Sequence, residues 1–231
     1  MKTILPLVGI GWASCLLVLS TTAAPFRNLD FEEANVSVIT PGDWYMDSTE
    51  NLIPGWTLSL GGLERPWMLV GGTSNPGVPT AVLMDRMAGA SQFIQGRYSI
   101  YLATGYDRPS EPRQYVHYSL TQTGDLPVSA QSLRFQERYG FEIFDVQING
   151  LSLDVVRESP SGAWYAVDVS AFSGQTISLE FRTAGGENFG STSFLLDTIE
   201  FSPTPVIPEP SAIGMVACGL GVLLLLRRSG T

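Results

Sequence analysis

Cysteine is almost missing from this chain: of 231 residues only Cys15 and Cys218 carry a thiol, and each lies in an apolar run near one end. The stretch between them can form no internal disulfide and offers no cysteine nucleophile, so its stability must come from packing, with metal as the other available source. Histidine is nearly as scarce. His117 is the one imidazole, and in Tyr115-Val116-His117-Tyr118 it alternates like an ordinary strand residue, which points to a structural role before a catalytic one. No GxSxG elbow, HExxH pair or phosphate-binding glycine loop is present. Positive charge is also short, with 13 Lys and Arg against 22 Asp and Glu and a formal charge of −9. Leaving out Lys2, Arg227 and Arg228, three cations at the chain ends, lowers it to −12, which disfavours nucleic acid and anionic membrane surfaces as partners.

What is abundant is apolar: 44% of residues are hydrophobic and 15% charged, too apolar for disorder, in a length that suits one domain with appendages. The excess is concentrated in residues 4–19 and 212–226. Lys2 supplies a positive n-region, 4–19 an apolar h-region, and Ser20-Thr21-Thr22-Ala23-Ala24 the small residues that signal peptidase needs. Residues 1–23 are therefore expected to be a signal helix, cut after Ala23. Cys15 lies inside the h-region and does not fit a lipoprotein cleavage box. Residues 204–211 are a proline-rich linker, and the C-terminal run of about 15 residues is short of the roughly 20 of a full span. With 207–210 at the interface it still reaches across, as a transmembrane helix. Arg227 and Arg228 stay cytoplasmic by the positive-inside rule, so an ectodomain over 24–203 faces outward.

The order Pro208-Glu209-Pro210, apolar helix, then Arg227-Arg228 resembles the PEP-CTERM sorting signal. A plain single-span anchor would need only the hydropathy and the arginines. The resemblance implies recognition by an exosortase, a membrane cysteine transpeptidase, and cleavage near Pro208-Glu209-Pro210. It also implies an inner-membrane-anchored precursor that moves to the cell surface or extracellular matrix of a Gram-negative bacterium making extracellular polysaccharide. It covers residues 208–231 and says nothing of the ectodomain.

Between the two ends no convincing amphipathic helix is found. Short runs of β-branched and aromatic residues are separated instead by Gly, Pro, Asn and Ser. Strands are predicted over 56–60, 67–70, 81–84, 98–104, 114–122, 132–138, 145–148, 151–155, 164–168, 176–182 and 194–201. In 176–182 Ile177, Leu179 and Phe181 alternate with Ser178, Glu180 and Arg182, as a strand with one wet face requires. Asn149-Gly150 between two such runs is a hairpin turn whose two positions need φ > 0. The prediction is an all-β fold, a two-sheet jelly-roll sandwich without internal repeats.

Asn28-Leu29-Asp30-Phe31-Glu32, Ile53-Pro54-Gly55-Trp56, Ser91-Gln92-Phe93-Ile94 and Phe194-Leu195-Leu196-Asp197-Thr198-Ile199 follow one another along the ectodomain. Together they resemble the galactose-binding-like, carbohydrate-binding-module type of jelly roll. That resemblance implies a structural calcium between the first and last strands, with Asn28, Glu32 and Asp197 as oxygen ligands and Asp30 as an extra candidate. The alternative is that Glu32 and Asp197 only cap or salt-bridge strand ends.

Sugar recognition uses aromatic faces for apolar sugar faces, and Trp44, Tyr45, Trp67, Tyr106 and Tyr115 lie in segments rich in Gly, Pro, Asp and Arg that read as loops or strand ends. Trp56 and Trp164, between apolar neighbours, read as core. Glu137, Glu142, Asp145 and Asp154 are nominal candidates for a glycoside-hydrolysing carboxylate pair, which only their separation in space would reveal. The leading expectation is a non-catalytic exported protein that binds polysaccharide. The alternatives are a structural or protein-adhesion domain and, behind both, a glycan-active hydrolase. An exposed aromatic cleft would favour sugar, and a flat apolar patch protein contact.

Overall fold

The computed structural model describes residues 24–37, 40–72, 79–106, 115–138, 144–158, 163–183 and 192–206. Both terminal apolar runs, the Pro208-Glu209-Pro210 motif, Arg227, Arg228 and Glu142 lie outside them. No helix among the described residues is long and apolar enough to cross a membrane.

Among the described residues there are sixteen strands, numbered in chain order, fourteen of which form two main sheets. The larger has the spatial order β1 (Trp44–Ser48), β4 (Trp67–Gly71), β5 (Thr80–Asp85), β6 (Tyr98–Ala103), β16 (Ser193–Ser202), β10 (Ser132–Arg138), β14 (Trp164–Asp168) and β13 (Val156–Arg157). The smaller runs β12 (Leu151–Ser152), β11 (Phe144–Ile148), β15 (Thr176–Thr183), β9 (Tyr118–Asp125), β2 (Thr57–Leu60) and β3 (Leu63–Glu64). A separate pair joins β7 (Gly105–Tyr106) to β8 (Tyr115–Val116). Every strand pair is antiparallel except β4 with β5. Among the described residues helix is confined to Thr49–Leu52 and two 3-10 turns, Arg86–Ala88 and Ser170–Phe172. The protein is a two-sheet β-sandwich.

Alternation places the core. Leu133 and Phe135 from β10, Tyr165 and Val167 from β14, and Phe194 and Leu196 from β16 face Val146 and Ile148 from β11 and Ile177, Leu179 and Phe181 from β15. Phe135 is the hub: its ring meets Phe144, Tyr165 and Phe181 at centroid distances of 5.6, 5.9 and 5.1 Å. Asn149-Gly150 closes the β11–β12 hairpin with φ of 52° and 79°, as that turn demands.

Four sequence expectations are corrected. Residues 44–48, read as loop or strand end and assigned no strand, form an edge strand, because Asp47 sits among β-formers and pairing with β4 outweighs its low strand propensity. The run 114–122 is broken at His117, which separates β8 from β9, and the run 151–155 leaves the ladder after Ser152. Trp164 is half-buried rather than core: the inward places on β14 belong to Tyr165 and Val167, so Trp164 falls on the other face. Trp56 is buried as expected.

Because Phe135 is fully buried among three other rings, Phe135→Ala should cost about 3–5 kcal/mol of unfolding free energy, read from the urea midpoint at unchanged slope. A loss below 1 kcal/mol would show that the aromatic cluster is not the centre of the core.

Candidate functional site

Two groups of residues form candidate sites, an acidic pocket and an aromatic strip. The pocket begins with Asn28. Its backbone is left-handed, at φ 51°, which asparagine tolerates. The buried side chain donates from Nδ2 to the Pro54 carbonyl at 3.2 Å and accepts at Oδ1 from the Glu33 N–H at 3.0 Å. Its carbonyl accepts from the Trp56 indole N–H at 3.0 Å. These bonds turn the chain so that Phe31 enters the core and Glu32 points away from it. Glu32 Oε1 then accepts from the Arg97 and Tyr98 N–H groups, at 2.8 and 3.0 Å. Gly96, at φ 61°, has no Cβ because that space is filled by the Glu32 carboxylate.

Asp197 arrives from β16, at a bulge where Thr198 takes φ 51° and the register against β10 shifts. It is only 1% exposed. Its Oδ2 accepts from the Gln95 N–H at 3.1 Å and the Ser99 hydroxyl at 2.8 Å, and Oδ1 from the Thr198 N–H at 2.6 Å. Burial nevertheless pushes its carboxyl up to about 6; the three donors oppose that rise and the nearby Glu32 charge adds to it. Asp30, Glu32, Gln95, Gly96, Asp197 and Thr198 line one pocket of about 170 Å³, below the size of ordinary organic-ligand pockets.

Of the four residues proposed for calcium, the pocket therefore gathers Asp30, Glu32 and Asp197. Asn28 is not in its lining, since its amide oxygen is spent on Glu33. Among the described residues no three acidic, histidine or cysteine side chains converge closely enough to hold a metal ion. Beside the pocket, Arg97 makes a two-toothed ion pair with buried Asp85 at 3.0 and 2.9 Å and lies over the Tyr98 ring.

The aromatic strip lies on the outer face of the larger sheet at its β1 edge. Trp44 and Met46 of β1 and Trp67 of β4 are 62%, 58% and 56% exposed, with half-buried Leu69 opposite Met46. Trp44 stands opposite Gly71 and Trp67 opposite Ser48, so the two indoles occupy opposite ends of a two-strand ribbon. A Cβ on Gly71 would meet the Asp43 carbonyl oxygen at 2.7 Å and the Trp44 Cβ at 2.8 Å, so glycine is what lets β1 close on β4 there. The row continues inward through Val82, Tyr101 and Leu195, a second buried cluster on which Ala90 and Ile94 lie.

Tyr45 is not part of the strip. One residue along from Trp44, it turns to the opposite face, packs against the main core, and accepts the Ser37 N–H at its hydroxyl, 2.9 Å away. Tyr115 is half-buried in the β7–β8 pair, hydrogen-bonded to Thr104 and edge-on to His117. The Tyr106 side chain lies outside the described residues. The His117 imidazole is held below its usual range by burial and then by Arg182, and its buried Nδ1 has no hydrogen-bond partner among the described residues. Of the carboxylates named for hydrolysis, Glu137 is buried beside Tyr165 on the larger sheet, while Asp145 bonds Ser152 and Gln147 on the outside of the smaller one. Asp154 is exposed. Glu137 and Asp145 therefore do not face each other across a groove. Met46, Leu69, Gln95, Gly96, Ser99 and Thr198 were not legible as site residues.

No protein-family model and no curated protein matches the sequence. Among solved structures, a carbohydrate-binding module, TmCBM61 in complex with beta-1,4-galactotriose, matches at 11% identity and a TM-score of 0.32, over 78% of this chain and 100% of that one. That TM-score is too low for the module's ligand to be carried over.

The Asp197 carboxyl gives a pH signature. Its folded value, about 6, lies above the 3.8 of an ordinary carboxyl, so the folded state holds the proton more tightly. The resulting stability is fully present below pH 3.8 and is lost as pH rises through about 6. Unfolding free energy should therefore rise by about 1 kcal/mol between pH 7 and pH 5. Asp197→Asn should flatten that slope, measured by urea denaturation at both pH values; an equal slope in the variant would assign the effect to another group.

Proposed function

We propose that this chain is an exported, non-catalytic surface or matrix protein whose jelly-roll ectodomain binds polysaccharide. The observation that carries the binding reading is the strip: two tryptophans more than half exposed on one sheet face, separated by apolar floor. Keeping an indole in water forgoes burial worth about 2 kcal/mol or more, which a purely structural position would recover. Stacking on a sugar's apolar face recovers it at a binding site.

A protein-adhesion role is the second reading, favoured by flatness, because the strip is not a cleft. Size weighs against it. Five residues of two adjacent strands present roughly 17 by 10 Å, on the order of 170 Å². A stable protein interface takes about 800 Å² per partner.

Export and sorting rest on residues 1–23 and 204–231. The proposed route is signal peptidase, membrane retention by the C-terminal helix, then exosortase cleavage near Pro208-Glu209-Pro210 and delivery to the cell surface or matrix. Replacing Pro208, Glu209 and Pro210 by alanine should leave the protein in the inner-membrane fraction at precursor size, judged by fractionation and immunoblot. Normal release of the triple variant would discard the sorting proposal and leave a plain anchor.

A structural calcium belongs to the proposal at the acidic pocket. Glu32 and Asp197 bring carboxylate oxygens there, and main-chain carbonyls and water would have to supply most of the six to eight oxygens that calcium takes. The full-length protein in detergent should be retained by at least one class in a panel of bacterial and plant polysaccharides, with Trp67→Ala losing retention. The same panel run with calcium and with EDTA, beside thermal melts, tests the ion: calcium should raise the melting temperature. An unchanged melt removes calcium; no retention in either condition moves the function to protein adhesion.

A further inference from the structure

We infer that the strip takes an extended, uncharged glycan lying along β1 and β4, with one sugar on Trp44, another on Trp67 and the intervening chain over Met46 and Leu69. This deepens the polysaccharide reading above and rests on it. Three observations lead there.

The first is spacing. Trp44 stands four residues from Ser48, the register partner of Trp67, so the two indoles are roughly 13 Å apart along the strand direction. That is the reach of a short oligosaccharide, not of one ring. A monosaccharide could engage one indole at a time.

The second is charge. The face presents Trp44, Met46 and Ser48 from β1 and Trp67, Leu69 and Gly71 from β4, and none of these is ionisable. The one charge on either strand, Asp47, falls on the opposite face, where Oδ1 accepts from the Ser48 N–H at 2.7 Å and the Asn51 amide at 3.1 Å. An anionic sugar laid on this floor would lose hydration without gaining a cation, under the field of a strongly acidic domain. A cationic sugar would find no carboxylate on the strip.

The third is the edge. β1 ends the larger sheet, and among the described residues no strand pairs with its outer side. Its outward main-chain N–H and C=O groups run beside the strip, a row of donors and acceptors for sugar hydroxyls. Aromatic faces below and neutral hydrogen-bonding groups alongside suit a polyhydroxylated ligand with apolar ring faces.

The test uses the full-length protein in detergent, titrated calorimetrically with uncharged oligosaccharides of increasing length and, separately, with uronic-acid polymers. Affinity should climb from monosaccharide upward and level off once the chain spans both indoles, with little dependence on salt. Trp44→Ala and Trp67→Ala should each lose about tenfold in affinity for the long oligomers. Because both side chains are mostly exposed, their melting temperatures should stay at the wild-type value, which separates lost contact from lost fold. Equal affinity for one sugar and for many would overturn the two-indole geometry, as would unchanged binding in both variants. Retention of uronate polymers with uncharged chains passing through would overturn the ligand class while leaving polysaccharide binding in place. Failure to bind any glycan would remove this inference and the reading beneath it together.

Discussion

The sandwich depends on how its opening segment is stitched to both sheets. Residues 24–37 contain almost no regular structure, only a bridge from Pro25 to Asp125, yet they close one side of the core. Arg27 exchanges two hydrogen bonds with the Gln122 side chain of the smaller sheet, while the Leu29 carbonyl accepts from Ile199 of the larger one. Between them Phe31 is fully buried, 5.9 Å from the Trp56 ring. Its left-handed φ of 59° costs on the order of 1 kcal/mol, and burying a phenyl ring returns about 2 or more. Burial therefore wins, and the strained turn persists because the bonds of Asn28 on one side and Glu32 on the other fix where it falls.

The same turn explains why an acidic pocket exists at all. Once Phe31 points inward, Glu32 must point outward across the 95–98 backbone, where it meets the bulge that carries Asp197. Two carboxylates are thereby held close, each bound to main-chain N–H groups, and one is driven toward neutrality by burial. The carboxylates are needed for connecting segments distant in sequence, and their residual electrostatic cost is what a bound cation would relieve.

Much of this was legible in the sequence, for identifiable reasons. Strands 132–138 and 164–168 are legible to the residue, the first because Leu133 and Phe135 alternate with polar neighbours, the second because Trp164 to Val167 is a short apolar run ended by Asp168. The four short motifs were legible as motifs, and they meet in space: Asn28 bonds Pro54 and Trp56, Asp197 receives the Gln95 N–H next to Ile94, and Ile199 bonds Leu29. Edge strand β1 was missed because Asp47, with Gly42 and Asp43 just before it, reads as a turn, and its strand character comes from pairing with β4. Of the aromatics proposed for sugar, only Trp44 and Trp67 are shown to share a surface. Separating Trp44 from Tyr45 required the pleat, since adjacent residues of a strand face opposite ways and composition alone cannot say which one is inside.

The direction of the strip follows from the topology. Ala24 and Pro25 lie beside Asp125, the Phe26 and Phe201 rings are 5.0 Å apart, and the Thr204 carbonyl accepts from the Ser132 hydroxyl. Both ends of the described chain thus leave from one pole of the sandwich. Following the register from β16 through β6, β5 and β4 to β1 puts Trp44 on the side of that pole and Trp67 toward the other, beside Ser48 and level with the end of β6 at Ala103. A ligand along β1 would therefore run away from the chain ends, not across them. If the domain is held by its C-terminus, as the tail proposes, the strip reaches outward from the point of attachment, and the sugar seated on Trp67 is the one farthest from it.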